Sequence, residues 1–307
     1  MKIAVIGAGA MGSIYGGRLS RHNEVYLIDT KQQIVDKINQ SGLTLLEGDQ
    51  ELVFHPQARM SAKGIGPVDL VILFVKALYS RNALDAAKEL FGEHTYVMTL
   101  QNGAGHEAVL GDYVKRSRII IGTTEDNGSV LEPGKVRHGH GGAGYTNVGL
   151  LVPDESGILQ KIKDSFDCCG FNVQIHQNIQ KLIWHKLFTN VSLSALTGVL
   201  QVDMGFIAED PHAWAAARRL IHEAVAVADQ MDLDFDEEEI AEEVKRTSQG
   251  NPTGCTSIRA DLRDGRKTEV DTISGAVVRA AHELGVDVPC HEMMVNLIHS
   301  MEARSRG

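Results

Sequence analysis

The sequence is poor in aromatic residues, proline and cysteine. Phe, Trp and Tyr together make up 5% of the 307 residues, and there are 7 prolines and 4 cysteines. Cys168 and Cys169 are neighbours, while Cys255 and Cys290 lie far apart, so the CxxC pairs that are typical of zinc sites are missing. We therefore expect reduced thiols, as in cytosolic proteins.

The sequence also lacks a long hydrophobic run and a targeting segment. Its most apolar stretch, residues 68–78, contains Asp69 and Lys76 and is too short to cross a bilayer. Residues 2–7 combine a short apolar run with glycine and do not form the core of a signal peptide. We expect a cytoplasmic protein with no membrane partner.

Negative charge exceeds positive charge, with 40 Asp and Glu against 30 Lys and Arg and a net charge of −10. An acidic protein repels a phosphate backbone, so we expect no nucleic-acid partner. An anionic small molecule would need a locally positive site, which makes single lysines in apolar surroundings candidates for function. A chain of this length accommodates two domains.

Short apolar runs alternate with helical patterns in the first half of the chain, which indicates βαβ units and a parallel sheet. The predicted strands are residues 3–6, 25–28, 70–75, 96–100 and 119–121. The glycine-rich residues 126–149 are predicted to form strands and loops at the edge of that sheet.

From residue 179 onward, helical periodicity dominates. Helices are predicted near residues 181–200, 211–229, 237–249, 252–262, 269–284 and 291–304. Thr268-Glu269-Val270-Asp271 resembles a capping box that opens the fifth of these helices.

A glycine motif follows the first predicted strand directly. Its residues are Gly7, Ala8, Gly9, Ala10, Met11 and Gly12. The first glycine permits a tight turn, the second lets the backbone approach a pyrophosphate, and the third lets helix and strand pack closely. The N–H groups at the start of the helix then bind phosphate. The sequence thus predicts an α/β fold, with an N-terminal Rossmann dinucleotide-binding domain (residues 1–178) followed by an all-α domain (residues 179–307).

Asp29 ends the second predicted strand, at about the distance from the motif where such folds place an acidic residue. A carboxylate there accepts hydrogen bonds from the ribose hydroxyls of NAD and repels the 2′-phosphate of NADP. Lys31 is the only basic residue nearby. The sequence therefore favours NAD as the cofactor, with NADP as the alternative.

Lys186, Asn190 and Ser194 recur at every fourth position of the predicted helix 181–200. In an α-helix they cover an arc of about 80°. This polar stripe lies among apolar residues, and a solvent-facing stripe is the alternative interpretation. Ser257 and Glu269 flank a later turn, and we expect them to project from facing helix ends toward one point.

Together these motifs resemble the ketopantoate reductase (2-dehydropantoate 2-reductase) family over the whole chain. The segments that carry the resemblance are the glycine motif, Phe74-Val75-Lys76-Ala77, Leu100-Gln101-Asn102-Gly103, Ile183-Trp184-His185-Lys186-Leu187, Asn190, Leu196-Thr197, Ser257, Asp261, Thr268-Glu269-Val270-Asp271 and Gly275. The spaced lysine, asparagine and Thr-Glu-Val-Asp elements make the resemblance specific.

The resemblance implies an oxidoreductase that reduces a small, branched 2-keto acid, ketopantoate first, with NAD(P)H. It implies that Lys186 is the general acid and that Glu269 binds both Lys186 and substrate oxygens. Asn190 would orient the substrate. A protonated lysine suits this role, because hydride transfer leaves negative charge on the carbonyl oxygen.

The resemblance also assigns binding residues around the reacting groups. Ser257 would hold the substrate carboxylate, and Lys76 and Asn102 would line the nicotinamide side of a cleft between the domains. Ser194, which we also assign to substrate binding, stands where family members often have a second asparagine.

Two departures from the family leave other functions open. Most ketopantoate reductases prefer NADPH and have a basic residue where this chain has Asp29, and Ser194 replaces an asparagine. One alternative is an NAD-dependent D-2-hydroxyacid dehydrogenase of the D-mandelate type. The other is a dinucleotide-binding sensor without catalysis, against which the presence of Lys186, Asn190 and Glu269 argues.

His138 and His140 lie in the glycine-rich segment without a third ligand in place, so we expect no metal site and interpret them as part of a loop or edge strand. The partner that we expect is a small-molecule 2-keto acid. The resemblance implies a homodimer formed through the helical domain.

Overall fold

The computed structural model describes residues 1–139, 144–153 and 155–304, and the chain divides into two compact units. The first contains Met1–Gln101 and His106–Ile179, and the second contains Asn102–Gly105 and Gln180–Gly307. His140 lies outside the described residues. Among the residues that the structure describes, no helix is long and apolar enough to cross a membrane.

The strands all belong to the first unit, as far as the chain is described. In chain order they are β1 (Lys2–Ile6), β2 (Glu24–Ile28), β3 (Leu43–Glu47), β4 (Gln50–Phe54), β5 (Gln57–Arg59), β6 (Leu70–Leu73), β7 (Tyr96–Thr99), β8 (Ile119–Thr124), β9 (Gly128–Glu132), β10 (Lys135–His138), β11 (Tyr145–Leu150) and β12 (Asn172–Ile175).

Eight of these strands form one sheet in the order β12-β11-β8-β7-β6-β1-β2-β5. The strands from β8 to β5 run parallel, and β11 pairs antiparallel with β8. The five predicted strands are confirmed as β1, β2, β6, β7 and β8. Their runs of Val, Ile and Leu are buried throughout β6 and β8, as expected for a sheet covered on both faces.

The prediction that residues 126–149 lie at the edge of this sheet is wrong. Strands β9 and β10 join β3 and β4 in a separate four-stranded sheet, in the order β4-β3-β10-β9, and β11 lies inside the large sheet between β8 and β12. The pairing of β10 with β3 joins residues such as Val136 and Leu45. Partners so far apart in the chain leave no local sequence pattern, so the second sheet was not foreseen.

The helices of the first unit are short. They are α1 (Ala10–Leu19), α2 (Gln32–Ser41), α3 (Ser80–Asp85), α4 (Glu107–Leu110) and α5 (Ile158–Asp167), with 3-10 turns at Ala77–Tyr79, Lys88–Leu90 and Arg116–Arg118. Tyr15 of α1 is fully buried, and its ring stacks on Phe171 with centroids 4.4 Å apart. Its hydroxyl lies 2.6 Å from Thr146 Oγ1. These contacts anchor α1 in the core of the first unit.

The second unit is helical over its described residues, which confirms the predicted fold class. Its helices are α6 (Ile179–Thr189), α7 (Ala195–Leu200), α8 (Met204–Glu209), α9 (Pro211–Asp229), α10 (Glu237–Gly250), α11 (Ser257–Arg263), α12 (Ser274–Leu284) and α13 (Pro289–Arg304), with a π turn at Asn190–Ser194 and a 3-10 turn at Val270–Thr272. The helix α8 was not predicted.

Two predicted helix starts are wrong. The helix expected from residue 252 begins at Ser257, because the Thr256 side chain accepts a hydrogen bond from the Arg259 N–H at 3.4 Å and forms the N-cap. The helix expected from residue 269 begins at Ser274, after the 3-10 turn.

Candidate active site

The glycine motif forms the turn between β1 and α1. Gly7 has a φ of +100°, a conformation that side chains rarely permit, and its N–H donates to the Ile28 carbonyl oxygen at 2.8 Å. A Cβ atom on Gly12 would lie 1.7 Å from the Gly7 carbonyl oxygen. The backbone of the protein itself therefore requires glycine at these two positions.

Gly9 differs, because none of the described residues around it requires a glycine. Its φ is −69°, and an added Cβ atom would meet no heavy atom of the described part of the chain within 4 Å. Gly9 is the N-cap of α1, and neither a capping side chain nor an acidic residue occupies the first turn of this helix. The space beside Gly9 and the positive end of α1 fit the pyrophosphate of a dinucleotide.

The other motif residues complete this turn. Ala8 is buried, and Ala10 and Met11 are half-buried at the start of α1. The Ala8 N–H donates to Asp29 Oδ2 at 2.9 Å, and the Lys31 N–H donates to Asp29 Oδ1 at 2.9 Å. These bonds hold the carboxylate beside the glycine turn, and each of its oxygens retains a lone pair for a further donor.

Lys76 follows β6 and precedes the 3-10 turn, where it is half-buried. Gln101 stabilises this loop, and the sequence alone did not reveal its role. Its Nε2 donates to the Val75 carbonyl oxygen at 2.6 Å and to Ser80 Oγ at 3.0 Å. Its Oε1 accepts from Thr99 Oγ1 at 2.8 Å. Gln101 therefore ties the end of β7 to the loop that contains Lys76.

Asn102 is exposed and belongs to the four-residue segment that the structure groups with the second unit. The Ala104 N–H donates to the Thr272 carbonyl oxygen at 2.9 Å. Gly103 has a φ of +95°, and a Cβ atom there would lie 1.9 Å from the same oxygen. Only glycine permits this close approach, which places Asn102 next to the 3-10 turn of the second unit.

The predicted polar stripe lies on the long helical segment of the second unit. Lys186 and Asn190 are half-buried and Ser194 is 6% exposed, so the stripe is only partly exposed to solvent. The regular helix expected here is interrupted by the π turn at Asn190–Ser194. Such π turns occur often at functional sites.

Buried hydroxyl groups donate hydrogen bonds to main-chain carbonyl oxygens along this segment. Ser192 Oγ donates to the Phe188 carbonyl oxygen at 2.6 Å, where a regular helix would use the Ser192 N–H. Thr197 Oγ1 donates to the Leu193 carbonyl oxygen at 2.8 Å. Ser and Thr residues clustered in an apolar helix are a sequence signal for a bent or interrupted helix.

Ser257 is exposed at the first position of α11. This helix packs against α7 and the π turn. The Thr256 and Thr197 hydroxyl oxygens lie 2.7 Å apart and are buried, which fixes the start of α11 against α7. The structure therefore brings Ser257 to the same group of packed elements as Asn190 and Ser194.

Glu269 is half-buried and precedes the 3-10 turn, with φ −103° and ψ 28°, near the bridge region where many active-site residues lie. The capping box predicted for this segment is wrong. The Thr268 N–H donates to Glu302 Oε1 at 2.8 Å rather than to Asp271. The acceptor lies 34 residues away in the chain, so the four-residue pattern did not reveal it.

His138 belongs to a buried charged cluster. Its Nδ1 lies 3.0 Å from Glu47 Oε1, and its Nε2 lies 2.9 Å from Asp126 Oδ1. Arg18 of α1 pairs with the same Glu47, with Nε 3.0 Å from Oε1. The described ranges contain no group of three or more His, Cys, Asp or Glu residues placed to hold a metal ion. Alternating charges thus join α1 to the four-stranded sheet.

The protonation of His138 is expected to stabilise the fold at acidic to neutral pH. Burial lowers the pKa of His138, but the hydrogen bonds with Asp126 and Glu47 outweigh it and raise the pKa above its usual value. Because the pKa of His138 is higher in the folded state than in the unfolded state, this stabilisation is complete below about pH 6.5, the pKa of an unfolded histidine. It disappears as the pH rises through the folded-state pKa.

We expect His138→Gln to reduce the free energy of unfolding by about 3 kcal/mol at roughly pH 6, because the buried Asp126 loses its contact with a charged imidazole and Glu47 keeps only Arg18 of its two charged partners. The difference from wild type should shrink toward roughly pH 9 as His138 loses its proton. Urea unfolding at both pH values measures this difference in the free energy of unfolding. The exposed His222, paired with Glu237, provides a control in His222→Gln. A difference that does not change with pH would show that His138 is not charged in the fold.

Comparison with known proteins gives consistent matches over both halves of the chain. The family model "Ketopantoate reductase PanE/ApbA" matches residues 3–152, and "Ketopantoate reductase PanE/ApbA C terminal" matches residues 178–302. A 2-dehydropantoate 2-reductase from Lactococcus lactis subsp. lactis is 32% identical, and the match covers 98% of each chain.

Two solved structures are also similar. A PanE/ApbA family ketopantoate reductase from Ralstonia eutropha JMP134 matches with a TM-score of 0.90 and 27% identity over all of both chains. D-mandelate dehydrogenase, solved with NADH and anilino(oxo)acetate, matches with a TM-score of 0.89 and 28% identity, over 100% of this chain and 99% of that one.

Proposed function

Because the chain belongs to the ketopantoate reductase PanE/ApbA family, we propose that it reduces the 2-keto group of ketopantoate to give D-pantoate, a step of pantothenate biosynthesis, with NAD(P)H. The observation that carries this proposal is the polar stripe of Lys186, Asn190 and Ser194, which is held in a buried to half-buried position by a helix with a π turn. A stripe of this kind suits a small polar substrate better than it suits a helix core.

In this proposal the first unit holds the pyrophosphate and the adenosine ribose of the dinucleotide. The motif residues Gly7, Ala8, Gly9, Ala10, Met11 and Gly12 bind the pyrophosphate through the backbone and the start of α1. Asp29 accepts hydrogen bonds from the adenosine ribose. Lys76 and Asn102 contact the nicotinamide side of the dinucleotide, and Asn102 also contacts the substrate.

The second unit provides the groups that act on the substrate. When bound, the reduced nicotinamide supplies the hydride that the keto carbon receives. Lys186 donates a proton to the carbonyl oxygen, and its positive charge stabilises the negative charge that develops there. Glu269 keeps Lys186 charged and oriented and accepts a hydrogen bond from the substrate.

Neutral donors orient the substrate for this transfer. Asn190 and Ser194 bind its oxygens from the π turn, and Ser257 binds its carboxylate at the start of α11, where the positive end of the helix favours an anion. Orientation by neutral groups leaves Lys186 as the single proton donor in the proposal.

We expect NADH to be used in preference to NADPH. The Ala8 and Lys31 N–H groups hold the Asp29 carboxylate in place, and a fixed negative charge repels a 2′-phosphate. Ketopantoate reduction followed at the reduced-nicotinamide absorbance band, with each cofactor in turn, measures this preference. Turnover with NADPH alone would overturn this role of Asp29 and leave the reductase standing.

A second candidate function is an NAD-dependent D-2-hydroxyacid dehydrogenase of the D-mandelate type. Asp29 favours it, together with the similarity to D-mandelate dehydrogenase, which was solved with NADH. A panel of 2-keto acids separates the two, because a clear preference for another acid over ketopantoate would replace the first proposal. Cofactor binding without turnover of any acid would instead favour a sensor. The cytoplasmic location and the homodimer stay predictions.

A further inference from the structure

The last turn of α13 reaches the segment that contains Glu269. Glu302 Oε1 accepts two hydrogen bonds from Thr268, one from its N–H at 2.8 Å and one from its hydroxyl at 2.7 Å. The Glu302 side chain is 9% exposed, so water competes little for these bonds. A buried carboxylate near the end of the chain thus acts on the residue directly before the proposed catalytic glutamate.

Thr268 also restrains the residue that follows Glu269. Its hydroxyl oxygen also accepts a hydrogen bond from the Val270 N–H at 3.2 Å. Thr268 is buried, and it therefore holds the backbone on both sides of Glu269. The Thr268 hydroxyl can make both hydrogen bonds, because a hydroxyl group donates one hydrogen bond, here to Glu302, and can accept another, here from the Val270 N–H.

The far side of the 3-10 turn is held as well. His299 Nε2, on the same helix as Glu302, lies 3.0 Å from Asp271 Oδ1. The Thr272 carbonyl oxygen accepts from the Ala104 N–H at 2.9 Å. The segment is therefore restrained from both ends, which fixes the position of the Glu269 backbone.

Glu302 is suited to accept hydrogen bonds only. Burial raises the pKa of Glu302, but the hydrogen bonds from Thr268 and from His299, whose Nδ1 lies 3.3 Å from Oε2, outweigh it and lower the pKa. An ionised carboxylate has no proton to donate, so both Thr268 groups can point at it without conflict.

We propose that Glu302 is a positioning residue for the reaction: it fixes Thr268 and so holds the Glu269 carboxylate where the substrate and Lys186 need it. This inference rests on the proposed catalytic role of Glu269. Displacing a catalytic group by about 1 Å is enough to slow a reaction about 10²-fold.

Three variants test the inference by kinetics. Glu302→Ala and Thr268→Val are expected to lower kcat for ketopantoate about 10- to 100-fold, with the KM for NADH unchanged. Glu302→Gln retains one acceptor oxygen and should keep most of the activity. Glu292→Gln is the matched control, since Glu292 lies on the same helix in an exposed pair with His282. A wild-type kcat in Glu302→Ala would overturn the inference.

The same substitution in a Glu269→Gln background distinguishes positioning from a general structural effect. If Glu302 acts through Glu269, Glu302→Ala should lower kcat by less than about 2-fold once that carboxylate is absent, because groups that act as a unit are not additive. An equal loss in both backgrounds would show that Glu302 acts only on the structure at large.

Amide hydrogen exchange tests the contact without relying on activity. We expect at least about 10-fold faster exchange at Thr268 in Glu302→Ala and at Val270 in Thr268→Val, with no change in Glu292→Gln. Unchanged exchange would overturn the inference. If the wild-type chain reduces no 2-keto acid, the proposed function fails by itself, and the exchange rates still decide whether Glu302 holds this segment.

Discussion

Replacing Lys186 with alanine is expected to lower kcat for the 2-keto acid by about 10²- to 10⁴-fold, the usual contribution of a positioned general acid. The variant loses both the proton that the carbonyl oxygen accepts and the positive charge that stabilises this oxygen. Lys186 lies in the last turn of α6, directly before the π turn, and is half-buried there. Affinity for NADH should be retained, because the proposed dinucleotide site is formed by other residues.

Steady-state kinetics with saturating NADH measures this effect. Lys181→Met is the control, since Lys181 precedes Lys186 on the same helix but is exposed, with its amine 2.9 Å from the Asp234 carbonyl oxygen. We expect this variant to match wild type. If Lys186→Ala reduced its substrate at the wild-type rate, the mechanism would be wrong whichever 2-keto acid is the substrate.

Alanine substitutions at Gly9 and Gly12 are expected to impair different properties. Gly9→Ala should weaken the binding of NADH, and Gly12→Ala should lower the stability of the fold. Gly9→Ala should raise the dissociation constant for NADH about 10²-fold, which is about 2.7 kcal/mol. It should change the free energy of unfolding by at most about 1 kcal/mol, because the new methyl group meets no atom of the described residues within 4 Å. The methyl group instead occupies the space that the proposal assigns to the pyrophosphate.

Gly12→Ala should destabilise the protein without a ligand by about 3 kcal/mol or more, because the new Cβ atom would lie 1.7 Å from the Gly7 carbonyl oxygen. Urea unfolding in the absence of cofactor and titration of NADH fluorescence measure the two quantities for each variant. Wild-type NADH affinity in Gly9→Ala would show that the pyrophosphate does not approach α1 at this position.

Much of the fold was accessible from the sequence, because its signals are local. Each of the five predicted strands is a short apolar run, and the helix at Pro211–Asp229 was predicted with its bounds. The residues around Asp126 to His138 were misplaced, since the strands there pair with β3 and β4, far away in the chain. A strand pattern shows that a segment pairs, but it does not show with which partner.

The candidate site shows the same division. Spacing indicated the polar stripe of Lys186, Asn190 and Ser194. The roles of these residues and of Ser257 and Glu269 are what the family resemblance implies, and they stay proposals. The structure adds how they are held: by the π turn, by the Thr197 and Thr256 hydroxyls and by Glu302. No sequence motif indicates the π turn, the hydroxyl contact or the Glu302 contact.

The sequence by itself determined the dinucleotide turn, because its requirements act within a few residues: a positive φ at Gly7, space at Gly9 and close packing at Gly12. It also determined the change from an α/β part to a helical part, through the period of its apolar residues. Only the tertiary structure decided that Asp29 is held by the Ala8 N–H, that His138 is charge-paired, and that the Thr268 N–H donates to a carboxylate 34 residues further along the chain. Hydrogen bonds between distant segments depend on how the chain packs, and packing leaves no periodic pattern in the sequence.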